Sequence, residues 1–372
     1  MERHRVLFLT YWYPTLKNPS KGIFVKRHAE AISEVSDLIL LHIDICKVTK
    51  LIQIGSNYHI DEYGFKTYVL SIGSRFPKLL YVALPLHYWI IKRFFVHHLK
   101  HEKFTHVHSN VIYPCGIIGY KLSTWLKTPH IITEHWTKID KFFRISLYKY
   151  LGKKAYNTAS CITAVSPMLS ETIKRYTNTT IEIVPNVIDS QEFRIIPNLN
   201  KSETFTFIGV ANWSQHKRPF YFLDALEKLK RENQIGPFRV ILAGTGDQLK
   251  KIQSRNYSFP IDYIGVITGE ELVNYFNTSH CFVHGSDYET FSVVIAEALQ
   301  CGLPVVASPV GIANTVINES NGLISKSERE WEINLKKVYF LKFDPFIVQS
   351  SVHKLFDKSS ISEIFKYIYL KT

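Results

Sequence analysis

The chain has 372 residues, 46% of them hydrophobic and 21% charged, which excludes a disordered segment and exceeds what one ordinary core needs, so two domains are expected. Its five cysteines (Cys46, Cys115, Cys161, Cys281 and Cys301) are scattered, odd in number and without CxxC spacing; this argues against a disulfide framework or a zinc site and for a reducing, cytoplasmic compartment. The net charge of +13 is uneven: residues 1–190 hold 25 Lys+Arg against 13 Asp+Glu, and residues 191–372 hold 20 against 19, so an anionic partner is expected for the first half.

Along the chain, apolar strand-like runs alternate with amphipathic helical stretches, the pattern of an α/β protein with parallel sheets. The run at 6–10 is too short for a signal peptide and reads as a first buried strand. The loop from Tyr11 to Arg27 follows it and leads into a helix over 26–34; Gly22, Lys26 and Arg27 lie together there. Further strands are expected at 38–43, 67–71, 105–108, 130–133, 161–165 and 181–184, with a helix over 166–176. His108 ends one strand, and Glu134-His135-Trp136 follows another.

Residues 75–100 hold Arg75, Lys78, Lys92, Arg93 and Lys100, no acids, and a dense set of aromatic and aliphatic side chains. Pro85, His87, Lys92 and Arg93 interrupt the apolar run before the ~20 residues that a membrane span requires. A basic, aromatic-rich helix lying on an anionic bilayer fits the composition. A core helix with a basic solvent face fits it equally, and both can hold for different faces.

Pro185-Asn-Val-Ile-Asp189 closes the first half, and the polar stretch 194–203 suits a hinge. The expected division is therefore a first domain over 1–190, a second over 191–358, and a terminal helix within 359–372. Strands resume at 205–209, 238–243, 261–264 and 280–284, with a helix over 220–230. Two doubly wound domains joined this way place a ligand outside the carboxyl ends of their strands, in a cleft that both face.

The richest stretch runs from Gly285 to Gly311. It reads as a polar loop ending in Glu289, a short apolar helix opening near Phe291, stops at Gly302 and Pro304, and a buried strand at 304–308. Glu297 sits inside the apolar run Val293-Val-Ile-Ala-Glu-Ala-Leu299, where an acid is costly unless it is hydrogen-bonded or faces a cleft. The helix start offers unpaired N–H groups and a positive dipole end to an anion. An anion cradle with two carboxylates eight positions apart suits a nucleoside diphosphate carrying a hydroxyl-rich sugar.

Glu289, seven residues, Glu297 and then Ala-Leu-Gln-Cys-Gly-Leu-Pro-Val-Val-Ala resembles the signature of glycosyltransferase family 4, retaining enzymes of the GT-B fold, similar to those that build bacterial surface polysaccharides. The resemblance implies two Rossmann-like domains, with the donor held by the second and the acceptor by the first, and a terminal helix that crosses back onto the first domain. It implies transfer of a sugar from a nucleotide diphosphate sugar to an acceptor hydroxyl.

By position, Lys217 matches a lysine that neutralises the donor diphosphate. Asn212 stands where that loop carries an arginine, so either His216 or Arg218 offers a substitute cation or the diphosphate clamp is weaker. Glu289 matches a contact to the transferred sugar and Glu297 one to the ribose. Phe291, Ser292 and Val293 match residues whose N–H groups meet the phosphates, and Thr290 and Ser292 occupy places where glycine is common. Gly244 (in Gly244-Thr-Gly246) and Val266 (after Gly265) correspond to neighbours of the base. In the first domain, Gly22 corresponds to a glycine close to phosphate or acceptor, and His135 to a histidine that reaches the transferred sugar.

The expected catalytic set is thus His135, Lys217 and Glu289. No cofactor is expected beyond the donor substrate, and no metal, so activity should survive EDTA. The acceptor is expected to be a glycan, either soluble or lipid-linked as in O-antigen, capsule or exopolysaccharide assembly, with peripheral attachment to an anionic inner membrane face. A nucleic-acid partner explains the charge but not the paired glutamates. Two other readings stay open: a nucleotide-sugar epimerase of the same fold, and a non-catalytic nucleotide-sugar-binding subunit, which Asn212 and the bulkier loop favour.

Overall fold

The computed structural model describes residues 3–15, 18 and 21–372; four residues of the loop between Tyr11 and Arg27 (Leu16, Lys17, Pro19 and Ser20) lie outside this set. The chain forms two compact units, one of residues 1–187 with 358–372 and the other of residues 188–357.

The first unit is built on an eight-stranded sheet of β1 (Arg5–Thr10), β2 (Asp37–Lys47), β3 (Ile52–Ile60), β4 (Lys66–Ser74), β5 (His106–Asn110), β6 (His130–Glu134), β7 (Cys161–Ala164) and β8 (Ile181–Ile183), in the order β3-β4-β2-β1-β5-β6-β7-β8. All pairings are parallel except β3 with β4. The central strands are apolar on both faces because helices cover both: Val6, Leu7, Phe8 and Leu9 of β1 are all fully buried. The chain leaves β1 to build one half of the sheet and returns to β5 on its other side, which makes the gap between the ends of β1 and β5 a topological switch point.

The sequence does not announce β3, whose nine residues are all exposed; it exists by pairing its backbone along the whole of β4. Residues 75–100 form two helices rather than one, Pro77–Val82 and Leu84–His98, parted at Ala83 just ahead of Pro85. The second buries Leu84, His87, Ile90, Ile91, Phe94 and Phe95, while Phe76, Leu79, Val82, Trp89 and Val96 stand exposed. One face is therefore core and the other solvent-facing. The helix Lys358–Lys371 packs Ile361, Phe365, Ile368 and Tyr369 into the same core as Phe8, Val25 and Ile32, and its Tyr369 hydroxyl meets His108 Nδ1 at 2.6 Å.

The second unit carries a six-stranded, wholly parallel sheet of β9 (Phe205–Val210), β10 (Phe238–Ala243), β11 (Ile261–Gly265), β12 (Cys281–His284), β13 (Val305–Ala307) and β14 (Gly322–Ile324), ordered β11-β10-β9-β12-β13-β14. Its switch point lies between β9 and β12. The polar stretch 194–203 is not a hinge. Asn277 accepts the Ile196 N–H and donates to the Arg194 carbonyl, and Ser202 N–H bonds the Thr278 carbonyl, so the stretch is pinned to the helix Glu270–Thr278.

Phe365 is fully buried in the first unit's core. Phe365→Ala should cost that unit about 3–5 kcal/mol, read as a loss of amide-exchange protection across β1, β2 and β5 with protection in the second unit unchanged.

Candidate active site

In the second unit, the loop after β9 and the loop after β12 are stitched together at the switch point. Arg218 N–H donates to the Gly285 carbonyl at 2.9 Å, and Asp287 N–H to the His216 carbonyl at 2.9 Å. Gly285 permits this approach, since a Cβ there would sit 2.4 Å from the Arg218 carbonyl oxygen. Trp213 anchors the first loop from below: it is buried, and its indole N–H bonds the Ala243 carbonyl at 2.9 Å.

The stitching delivers Lys217 to Glu289. The ammonium pairs with Glu289 Oε1, and only 14% and 16% of the two side chains is exposed. His284, the last residue of β12, lies beneath them with Nε2 3.3 Å from Glu289 Oε1 and 3.1 Å from Ser292 Oγ. Burial alone would raise the Glu289 carboxyl, but its bonds and charge interactions with His284 and Lys217 hold it down to about 2. Burial lowers the His284 imidazole, and Lys217 lowers it further against the pull of Glu289. Near neutral pH the set is therefore an ionised Glu289 beside a neutral His284, with the ammonium as its cation; His284 adds its charge only in acid, where it is protonated.

A cavity of about 380 Å³ opens beside this set, lined by Asn212, Lys217, Gly244, Val266, Val293 and Glu297 together with Ala211, Thr245, Ile267, Leu272 and others. Six of the residues singled out in the sequence thus converge on one wall system. The helix opens at Val293 rather than near Phe291, because Ser292 takes a left-handed conformation (φ 76°) that ends the loop abruptly. Phe291, Ser292 and Thr290 do not line the cavity; Phe291 is buried edge-on against Phe356, with ring centroids 5.6 Å apart. The first-turn N–H groups of Val293–Gln300, which lack intrahelical partners, border the cavity through Val293 and Val294. Arg218, the substitute cation the sequence offers for Asn212, pairs with Asp287 and is outside the cavity lining. His216 is exposed and bonded to Ser214.

Gly22 and His135 belong to the first unit, where the helix that Gly22 caps packs against His135. Gly22 caps the helix Ile23–Val35 with φ 70°, and a Cβ there would meet the Trp12 carbonyl carbon at 2.5 Å. Phe24, two residues on, packs its ring 4.8 Å from that of His135, and His28 lies 5.1 Å away. His135 is buried with neither ring nitrogen hydrogen-bonded. Burial holds its imidazole far below the usual range, reinforced by His28 and His108. Lys26 is taken up by Glu30 and Glu62. His108 is a core group, bonded through Nε2 to Thr133 Oγ1 at 2.6 Å.

Sequence reasoning passed over Glu134. Its side chain is fully buried at the end of β6. Its Oε1 accepts the Ile112 N–H at 2.6 Å and the Tyr156 hydroxyl at 2.8 Å, while Oε2 has no partner. Burial pushes its pKa up to about 8, against the lowering effect of the Tyr156 hydroxyl and the Ile112 N–H.

Two family descriptions cover most of the chain: residues 59–192 match Glycosyltransferase Family 4, and residues 190–342 match Glycosyl transferases group 1. The chain belongs to glycosyltransferase family 4. Among curated relatives of this family-4 chain, an uncharacterised glycosyltransferase of Methanocaldococcus jannaschii is 24% identical over 62% of this chain and 63% of its own length. A second from the same organism is 27% identical over 55% of this chain and 58% of its own. The UDP-Gal:alpha-D-GlcNAc-diphosphoundecaprenol alpha-1,3-galactosyltransferase of Escherichia coli is 26% identical over 61% and 63%. The matches thus span about three-fifths of those relatives' lengths. Among solved structures, a sucrose-phosphate synthase from Thermosynechococcus elongatus superposes with a TM-score of 0.76 at 18% identity, over 99% of both chains. Anabaena HepE, solved with UDP and glucose, superposes at 0.69 and 15% identity, over 99% of this chain and 100% of its own. These likenesses establish the GT-B fold.

The Glu134 carboxyl yields a pH test. Between the unfolded value of 4.5 and about 8, the folded chain keeps a proton that the unfolded chain has released. Its contribution to stability is therefore full at the acid end and fades as pH rises through that window. Glu134→Gln should gain stability relative to the parent as pH goes from 5 to 8.5. A difference between the two unfolding midpoints that stays constant over that range contradicts the assignment.

Proposed function

We propose that this family-4 chain transfers a sugar from a nucleoside diphosphate sugar to an acceptor hydroxyl with retention of anomeric configuration, the acceptor being a lipid-linked glycan of the kind assembled into bacterial surface polysaccharides. The observation that carries the proposal is the cavity in which Lys217, the start of the helix Val293–Gln300 and Glu297 meet. Its size falls within the ~300–1,000 Å³ range of small-ligand sites, and its polar groups are those a diphosphate and a ribose need. That HepE was solved with UDP and glucose, and that the Escherichia coli relative is named for a UDP-sugar donor and a diphosphoprenol acceptor, support the same substrate classes here.

In the proposed reaction the bond from the anomeric carbon to the diphosphate oxygen breaks and a bond to the acceptor oxygen forms, with the hydroxyl proton passing to a phosphate oxygen. Negative charge builds on the departing diphosphate. Lys217 and the N–H groups at Val293 and Val294 face that charge in a partly buried setting, where they are worth more than in water. Glu289 holds the ammonium in place before the donor arrives and then faces the sugar. His135 and Gly22, in the first unit, are assigned the substrate contacts that the family resemblance implies.

The anionic partner implied by the basic first unit is proposed to be a membrane surface. Leu79, Val82 and Trp89 are exposed on the helices after β4, and Leu51, Ile54, Tyr58 and Ile60 are exposed on and beside β3. No Asp or Glu occurs from Tyr63 to His101, while Lys66, Arg75, Lys78, Lys92, Arg93 and Lys100 do. Near an anionic leaflet each such cation contributes about 1 kcal/mol. Among the described residues no helix is long and apolar enough to cross a membrane.

Lys217→Ala should reduce turnover about 10²–10³-fold. Adding Glu289→Gln should relieve the carboxylate left unpaired, restoring the unfolding midpoint but not the rate; full turnover in either variant contradicts the role given to Lys217. In sedimentation assays the chain should bind vesicles containing phosphatidylglycerol at low salt, bind purely zwitterionic vesicles weakly, and dissociate as salt rises. Equal binding to both vesicle types removes the electrostatic part of the proposal.

A further inference from the structure

An aromatic tier stands at the carboxyl ends of β5 and β6. Tyr113 lies in the segment after β5, Trp136 two residues past β6, and Tyr148 in the helix Ser146–Thr158. The Tyr113 and Trp136 rings are near-parallel (17°) with centroids 6.3 Å apart, and Tyr148 lies 5.1 Å from Tyr113. Phe142, buried, backs all three: it stacks on Tyr148 at 5.4 Å and 7°, and lies 5.5 Å from Tyr113 and 5.9 Å from Trp136. Tyr113, Trp136 and Tyr148 are only half-buried. Aromatic groups that served packing alone would sit where Phe142 sits.

Glu134 ties together the segments that carry the tier. One oxygen of this buried carboxyl binds the N–H of Ile112, next to Tyr113, and the hydroxyl of Tyr156, on the helix that bears Tyr148. Glu134 itself is two residues from Trp136. The three ring-bearing segments therefore share one buried anchor. Val111, just before them, is a β-branched residue held at φ 68°, a conformation that persists only where the surroundings enforce it.

Around the tier the charge is one-sided. Lys138, Lys141, Arg144 and Lys149 are exposed, and among the described residues none of them is in ion-pair contact. The single carboxylate from His135 to Ser170 is Asp140, and it is occupied by Arg175 at 3.0 Å and the Tyr176 hydroxyl at 2.7 Å. Flat aromatic faces take the apolar C–H face of a pyranose ring and leave its hydroxyls to water. Unpaired cations beside them take phosphate.

We propose that Tyr113, Trp136 and Tyr148 form the platform on which the acceptor's sugar stacks, with Lys138, Lys141 and Arg144 receiving the phosphate groups that carry it, and Glu134 as the positioning residue. This rests on the transferase reading for its acceptor class, but the site lies wholly within the first unit and is tested apart from donor binding. It assigns acceptor selection to residues next to His135, so that a sugar held on the tier presents its hydroxyl close to the end of β6.

The test is calorimetric titration of the full chain with farnesyl diphosphate bearing N-acetylglucosamine, N-acetylgalactosamine, glucose or galactose, with sugarless farnesyl diphosphate as reference. UDP is titrated separately into each variant. At least one sugar-bearing probe should bind about tenfold or more tightly than the reference, a difference of ~1.4 kcal/mol. Trp136→Ala and Tyr113→Ala should erase that margin, Trp136→Phe should keep most of it, and UDP affinity should be the same throughout. Raised salt should weaken probe and reference alike. If no probe outbinds farnesyl diphosphate, the site is a lipid or phosphate surface and the proposal falls. It falls equally if Trp136→Ala, with a parent-like unfolding midpoint, keeps the margin. Absence of UDP binding in the parent chain would instead sink the donor site and leave the platform result to stand alone.

Discussion

A cation held by a carboxylate across two loops is the constraint from which the rest of the second unit follows. Lys217 and Glu289 are 72 positions apart and leave different strands, yet they meet because backbone bonds between residues 216–218 and 285–287 close the switch point between β9 and β12. A parallel sheet delivers loop starts side by side at one edge; the loops then need a residue without a side chain where they cross, and Gly285 supplies it. With the ammonium fixed, the left-handed turn at Ser292 aims the helix start at the same cavity. An unpaired lysine there would be mobile and solvated, and holding it in advance lowers the ordering cost when an anion arrives.

The first unit solves a different problem by similar means. Here a buried carboxyl, rather than an ion pair, ties the segments at the ends of β5 and β6. A charged group in so dry a place would be prohibitive, and its raised pKa is how the structure accommodates it. Neighbouring His135, likewise buried and neutral, is kept from protonating by the same dryness. The Glu134 bonds thus fix the ends of β5 and β6 to the helix Ser146–Thr158, beside the exposed Lys138, Lys141 and Arg144.

The architecture was legible because parallel strands buried on both faces write themselves as uninterrupted apolar runs. Leu38 to Ile43 and Phe238 to Ala243 left little else to conclude. Strands that depend on partners did not show. The strand β3 has no buried side chain to give it a period, and β14 is three residues long. The polar stretch 194–203 looked like a linker because its bonds go to Asn277 and Thr278, far along the chain. At the site, the residue types in the stretch from Gly285 to Gly311 pointed to an anion and a sugar, but geometry decided more. Nothing local reveals that Arg218 turns to Asp287, that Ser292 adopts a positive φ, or that Phe291 is core. Glu134 was visible as an acid ending an apolar strand, and its buried state was the signal passed over.

The central claim is that Lys217 and the start of the helix at Val293 receive the donor's diphosphate. It is tested most directly by a crystal structure of the chain with UDP or GDP bound. The account predicts phosphate oxygens within hydrogen-bonding distance of Lys217 Nζ and the Val293 N–H, with Glu297 at the ribose. A nucleotide bound elsewhere, with the Lys217–Glu289 pair untouched, would contradict it.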